Sequence, residues 1–143
     1  HIRSVIACFY YLEFSRRITL SQNKLDIYKE LKKEVSDFLV KSEINPIEIE
    51  LFKSLLKDDI FLLEESEIKS SGYVIHTLEA SIWCLLTTNS YQEAVLKAVN
   101  LGNDTDTTGA VTGGISALLY GYDTIPKDWI DCLAKKNEIL KLC

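Results

Sequence analysis

Apolar residues recur along most of this chain at intervals of three and four, the spacing that lines one face of an α-helix. Over residues 2–17 the set Val5, Ile6, Phe9 and Leu12, continued by Ile18, shares one broad face and predicts a buried helix. A second stripe, Leu25, Tyr28, Leu31, Val35 and Phe38-Leu39, predicts a helix reaching Val40 with Ser21 as its N-cap. Pro46 opens a third helix carrying Ile49, Leu51, Phe52 and Leu55, because proline lacks the N–H that a first helical turn leaves unpaired. Between Leu62 and Tyr73 the pattern lapses, and the acidic run at 64–67 followed by Lys69-Ser70-Ser71-Gly72 reads as a loop, a place for a ligand. Helical spacing resumes at Val74 through Leu78, Ile82 and Leu85-Leu86. Asn89-Ser90 closes that helix and caps the next, residues 91–99. Gly109 to Leu119 predicts a further, largely apolar helix. After a turn at 120–126, Trp129, Ile130 and Leu133 restart a short amphipathic one, with Trp83 and Trp129 expected in the core. No strand-length alternation bounded by turn signals occurs. The expected class is therefore all-α, seven or eight helices in one domain spanning residues 1–143.

Composition narrows the function. With 143 residues, 47% of them hydrophobic and 26% charged, the chain has the makings of a packed core. No apolar run approaches the roughly 18–20 residues of a membrane span, and the first residues lack a signal-peptide layout, so a soluble protein is expected. A net charge of -5 without a basic stripe argues against nucleic acid, whose binding needs Lys and Arg to neutralise phosphates. Cys8, Cys84, Cys132 and Cys143 form no CxxC pair and read as reduced structural thiols, which fits a cytoplasmic setting. Because the chain opens at His1 and contains no methionine, further residues are expected to precede it.

The densest chemistry lies in Asp104-Thr105-Asp106-Thr107-Thr108, set between Gly102-Asn103 and Gly109 in a tight corner between two predicted helices. Carboxylates there are costly to bury without a positive or donor partner. Three readings compete. A calcium loop of the EF-hand kind needs a bidentate glutamate at its twelfth position, and counting from Asp104 that position is Ile115. A plain helix cap accounts for one aspartate and leaves the other, with Thr107, unexplained. A hard divalent cation such as Mg²⁺ or Mn²⁺ uses both carboxylates and the hydroxyl, but needs further ligands from elsewhere. The other adjacent pair, Asp58-Asp59, reads as solvated.

Several blocks together resemble the ADP-ribosylglycohydrolase family, the dinitrogenase-reductase-activating glycohydrolases among them. They are Ser71-Gly72-Tyr73-Val74 with Thr77-Leu78-Glu79-Ala80 and Trp83-Cys84, then Gly102-Asn103-Asp104-Thr105-Asp106-Thr107, Gly113-Gly114, and Ile125-Pro126 with Trp129. The resemblance covers nearly the whole chain but only the C-terminal half of a typical member. It implies an all-α bundle around a two-metal Mg²⁺ or Mn²⁺ site. Asp104, Asp106 and Thr107 become metal ligands by that resemblance, with Asp106 bridging and both aspartates catalytic. Ser71, Gly72 and Tyr73 become ADP-ribose contacts. The implied reaction hydrolyses the bond between ADP-ribose and a protein side chain, arginine or serine. The implied partners are an ADP-ribosylated protein or ADP-ribose, and the N-terminal half of the same protein. The family's remaining ligands come from a Thr-Asp-Asp motif that nothing here matches, so the chain alone is expected to be inactive. A non-catalytic ADP-ribose or nucleotide module, or a helical interaction module, is the alternative. His76 within the matched block reads as a surface or satisfied core group. Helices lacking half of their packing would expose apolar surface, which self-association into a homo-oligomer would cover.

Overall fold

A computed structural model describes residues 1–142, so Cys143 lies outside the described residues. Nine α-helical segments and three 3-10 turns account for its regular structure, and no strand occurs among the described residues. The all-α expectation holds. The helices are α1 (Ile2–Ile18), α2 (Lys24–Lys41), α3 (Pro46–Glu50), α4 (Lys53–Leu56), α5 (Val74–Leu86), α6 (Tyr91–Asn100), α7 (Thr105–Tyr120), α8 (Lys127–Asp131) and α9 (Lys136–Ile139).

Four local departures from the sequence reading have physical causes. Asn23, not Ser21, caps α2: its side chain accepts the Asp26 N–H, while Ser21 Oγ takes the Asn23 N–H. The single helix expected after Pro46 breaks at Leu51-Phe52, where the Phe52 backbone (φ -99°, ψ 18°) leaves the helical region while its side chain stays fully buried beside Leu55. In α1 the buried edge is Ile6, Tyr10, Phe14 and Ile18, spaced four apart, whereas Val5 and Leu12 are exposed. Trp83 is core as expected and donates to Leu63 O at 3.0 Å, but Trp129 is half-buried against Tyr91.

The core gathers around α5, which is buried on nearly every side: Ile75, Leu78, Ile82, Trp83, Leu85 and Leu86 all lie inside. Its C-terminus is closed by Lys24, whose ammonium reaches Leu85 O at 2.9 Å and also bonds Thr88 O, a cation where the helix dipole is negative. Helix α7 packs most extensively on α6 and α5. Small residues allow that approach. Ala94 and Ala98 are fully buried, and a Cβ on Gly109 would meet Val99 Cγ1 at 2.9 Å. The loop entering α5 and the corner entering α7 thereby reach the same end of the bundle.

Candidate active site

The corner between α6 and α7 is built on two consecutive left-handed residues, Gly102 (φ +78°) and Asn103 (φ +57°), a conformation that glycine and asparagine tolerate best. Helix α7 then starts at Thr105, four residues earlier than Gly109, so Asp104 is its N-cap and Asp106 and Thr107 lie in its first turn. Asp104 occupies the cap position without doing a cap's work: its side chain makes no capping hydrogen bond. The cap reading therefore fails for Asp104. The Asp104 carboxyl instead hydrogen-bonds that of Asp106. That contact, with the backbone N–H groups of Asp106 and Thr107, holds Asp106 below the usual carboxylate range. Ile115 is fully buried, which removes the calcium-loop reading as well.

The second half of the site arrives through Ser70, which lies in the loop expected to offer a place for a ligand, though its own side chain carries no local signal. Ser70 is buried, its Oγ lies 3.3 Å from Leu101 O and 3.0 Å from Gly102 O, and it accepts from Asn103 Nδ2 at 3.3 Å. Its carbonyl takes the Asp104 N–H at 3.1 Å. This staple lays the 69–73 loop against the acidic corner. Gly72 is pressed so close that a Cβ there would stand 2.6 Å from Asp104 Oδ2. Gly72 and Asp104, predicted separately, thus meet, Ser71 and Tyr73 flank Gly72 in the same loop, and Thr107 joins Gly72 in lining an apolar groove of about 630 Å³. Ala7, Leu12, Val74, Leu78 and Val111 line the rest of it.

Tyr73 itself is braced. Arg3 forks across both carboxylate oxygens of Glu48, at 2.6 and 3.0 Å, and its remaining arm donates to the Tyr73 hydroxyl at 3.2 Å. From the other side the His76 ring meets the Tyr73 ring edge-on, centroids 5.0 Å apart, while His76 Nδ1 lies 2.7 Å from Ser71 Oγ. Arg3 escapes sequence reasoning, and His76, expected as a surface or satisfied core group, instead touches both Ser71 and Tyr73. The only signal was that His76 stands three residues beyond Tyr73, the spacing at which helix-start side chains meet. Asp58 and Asp59 stay outside the site: both are exposed, and Asp59 pairs with Lys32 at 2.8 Å.

Among the described residues no three His, Cys, Asp or Glu side chains gather as a cation site. The acidic corner supplies two carboxylates and the Thr107 hydroxyl, all hard oxygen donors, which suit Mg²⁺ or Mn²⁺ in kind and leave coordination positions over. No helix is long and apolar enough to cross a membrane among the described residues.

The chain is 48% identical over 79 residues to the ADP-ribosylarginine hydrolase Tri1 of Serratia proteamaculans, a stretch covering 55% of this chain and 22% of that protein. To the ADP-ribosyl-[dinitrogen reductase] glycohydrolase of Rhodospirillum rubrum it is 33% identical over 78 residues, 54% of this chain and 26% of the relative. To the mouse ADP-ribosylhydrolase ARH3 it is 30% identical over 88 residues, 52% and 24% respectively. The chain thus matches about a quarter of the length of each of these relatives. The ADP-ribosylglycohydrolase family model matches residues 1–143, and the chain belongs to the ADP-ribosylglycohydrolase family.

Proposed function

We propose that this chain carries part of the active site of a cytoplasmic ADP-ribosyl hydrolase, one that cleaves the glycosidic bond joining ADP-ribose to a protein side chain. One observation carries the reading. Asp104 sits at a helix N-cap, makes no cap, and faces Gly72 of the Ser71-Gly72-Tyr73 loop, so the acidic pair and the loop line a single surface. Free thiols at Cys8, Cys84 and Cys132 agree with a reducing compartment.

Asp104, Asp106 and Thr107 would hold Mg²⁺ or Mn²⁺, with the remaining positions taken by water or by groups from a polypeptide that completes the site. A bound ion of this kind orients a water and stabilises charge that develops at the sugar. The chain's own residues do the rest. Gly72 lets a ligand approach the backbone closely. Tyr73 presents a half-open ring face for stacking, fixed by Arg3. Asp106, held below the usual carboxylate range, suits a cation better than a proton.

Calorimetry of the chain with ADP-ribose, with and without Mn²⁺, tests the proposal. Binding that requires Mn²⁺ and is lost in Asp104→Asn and Asp106→Asn is expected. Binding that ignores both the metal and the two substitutions would favour a non-catalytic ADP-ribose module, a reading supported by the three-donor count of the corner. No ADP-ribose binding at all would sink both.

A further inference from the structure

We propose that His76 is a positioning residue for the Ser71-Gly72-Tyr73 loop, an inference that rests on the reading of that loop as an ADP-ribose contact. Ser70 staples the start of the loop and Arg3 holds the Tyr73 hydroxyl, but neither reaches the Ser71 hydroxyl or the edge of the Tyr73 ring that faces His76. Tyr73 is the N-cap of α5 but its side chain makes no cap; the Tyr73 N–H donates to Ser71 Oγ at 3.4 Å. An oxygen that accepts that proton directs its own hydrogen onward, and the nearest acceptor is His76 Nδ1 at 2.7 Å. A relay results: Tyr73 N–H to Ser71 Oγ, Ser71 O–H to His76 Nδ1, with the imidazole hydrogen on Nε2. The same ring packs edge-on against Tyr73. One imidazole therefore sets the Ser71 hydroxyl and the tilt of the Tyr73 ring, the two loop features a nucleotide would meet. Burial, then the charge of Lys69, favours its neutral form, the form that can accept. Thr77 Oγ1, 3.3 Å from Ser71 O, anchors the loop backbone but touches neither feature.

Two variants separate the parts of this role. His76→Phe keeps a ring against Tyr73 and deletes the acceptor; His76→Asn puts an amide oxygen near the place of Nδ1. With ADP-ribose as the probe, the Phe variant is expected to bind about five- to tenfold more weakly, the factor one hydrogen bond supplies. The Asn variant should recover most of that. Amide hydrogen exchange at Tyr73, in the ligand-free chain, should speed up about tenfold in the Phe variant and return toward wild type in the Asn variant. In a cycle with Ser71→Ala, the double variant Ser71→Ala/His76→Phe should be no weaker than either single one. Wild-type affinity in the Phe variant, or an Asn variant as weak as the Phe one, overturns the proposal. Should the wild-type chain bind no ADP-ribose, the functional reading falls and exchange decides alone. A faster, Asn-rescued Tyr73 amide upholds the positioning role, and an unchanged one overturns it.

Discussion

Replacing Gly72 by alanine tests the link between loop and acidic corner with a single methyl group. The added Cβ would stand 2.6 Å from Asp104 Oδ2, where ordinary contact begins at 3.4 Å, so one of the two must give way by about 0.8 Å. The Gly72 backbone is tied through Ser70, two residues earlier, whose carbonyl holds the Asp104 N–H, and the carboxylate is the freer of the two. Turning it aside by roughly 20–30° costs ~0.5–1.5 kcal/mol. Fold stability should hardly register this. Alanine restricts the unfolded chain relative to glycine, a gain of ~0.4–1 kcal/mol that offsets most of the strain. Metal affinity should register it in full, because a carboxylate off its preferred rotamer must be pushed back to ligate. The expected result is a two- to tenfold weaker Mn²⁺ affinity by calorimetry, with a urea midpoint within experimental scatter of wild type. Unchanged Mn²⁺ affinity in Gly72→Ala would refute the placement of Asp104 as a ligand pressed against the loop. A stability loss above about 2 kcal/mol would show that the backbone, not the carboxylate, had moved.

Three further outcomes follow from other contacts. Ser70→Ala should cost about 1–3 kcal/mol in urea denaturation, since it removes the buried hydroxyl that satisfies the corner, and should weaken ADP-ribose binding alongside. Gly109→Ala should destabilise by about 1 kcal/mol despite alanine's better helix propensity, because its methyl meets Val99 at 2.9 Å; a raised thermal midpoint would contradict the close crossing of α6 and α7. The Glu13 carboxyl, hydrogen-bonded first by Arg16 and then by Arg17, is lowered from 4.5 to about 2. Its folded pKa is depressed, so its stabilisation is present above pH 4.5 and is lost as pH falls toward 2. Glu13→Gln should flatten the fall of the urea midpoint across that window and leave it unchanged in form near neutrality.

The helix register was legible because burial follows periodicity: α5 begins and ends where the apolar spacing does, and Ser90 caps α6 as its sequence position implies. Errors arose where sequence cannot say what stands opposite a residue. Val5 and Leu12 are as apolar as Ile6, yet they face a groove and solvent while Ile6 faces the core. Ser21 and Asn23 are both good caps two residues apart, and only the packed register of Leu25 and Tyr28 selects Asn23. In the site, Asp104, Asp106 and Thr107 stood out by density of oxygen ligands. Ser70 did not, because its partners lie 31 to 33 residues further along and no local pattern marks them. The same is true of Arg3, whose bond to the Tyr73 hydroxyl spans 70 residues.

The Ser70 staple also orders events during folding. Residues 70 and 102 come together only when α5, α6 and the start of α7 have closed into a hairpin of helices, so the contact pays a loop-closure cost that the helices themselves do not. The acidic corner can form its left-handed turn locally, but Asp104 acquires its place against Gly72 only afterwards. The staple is small, a few hydrogen bonds set on a much larger apolar core. Loop and corner can therefore part while α5 and α7 stay packed.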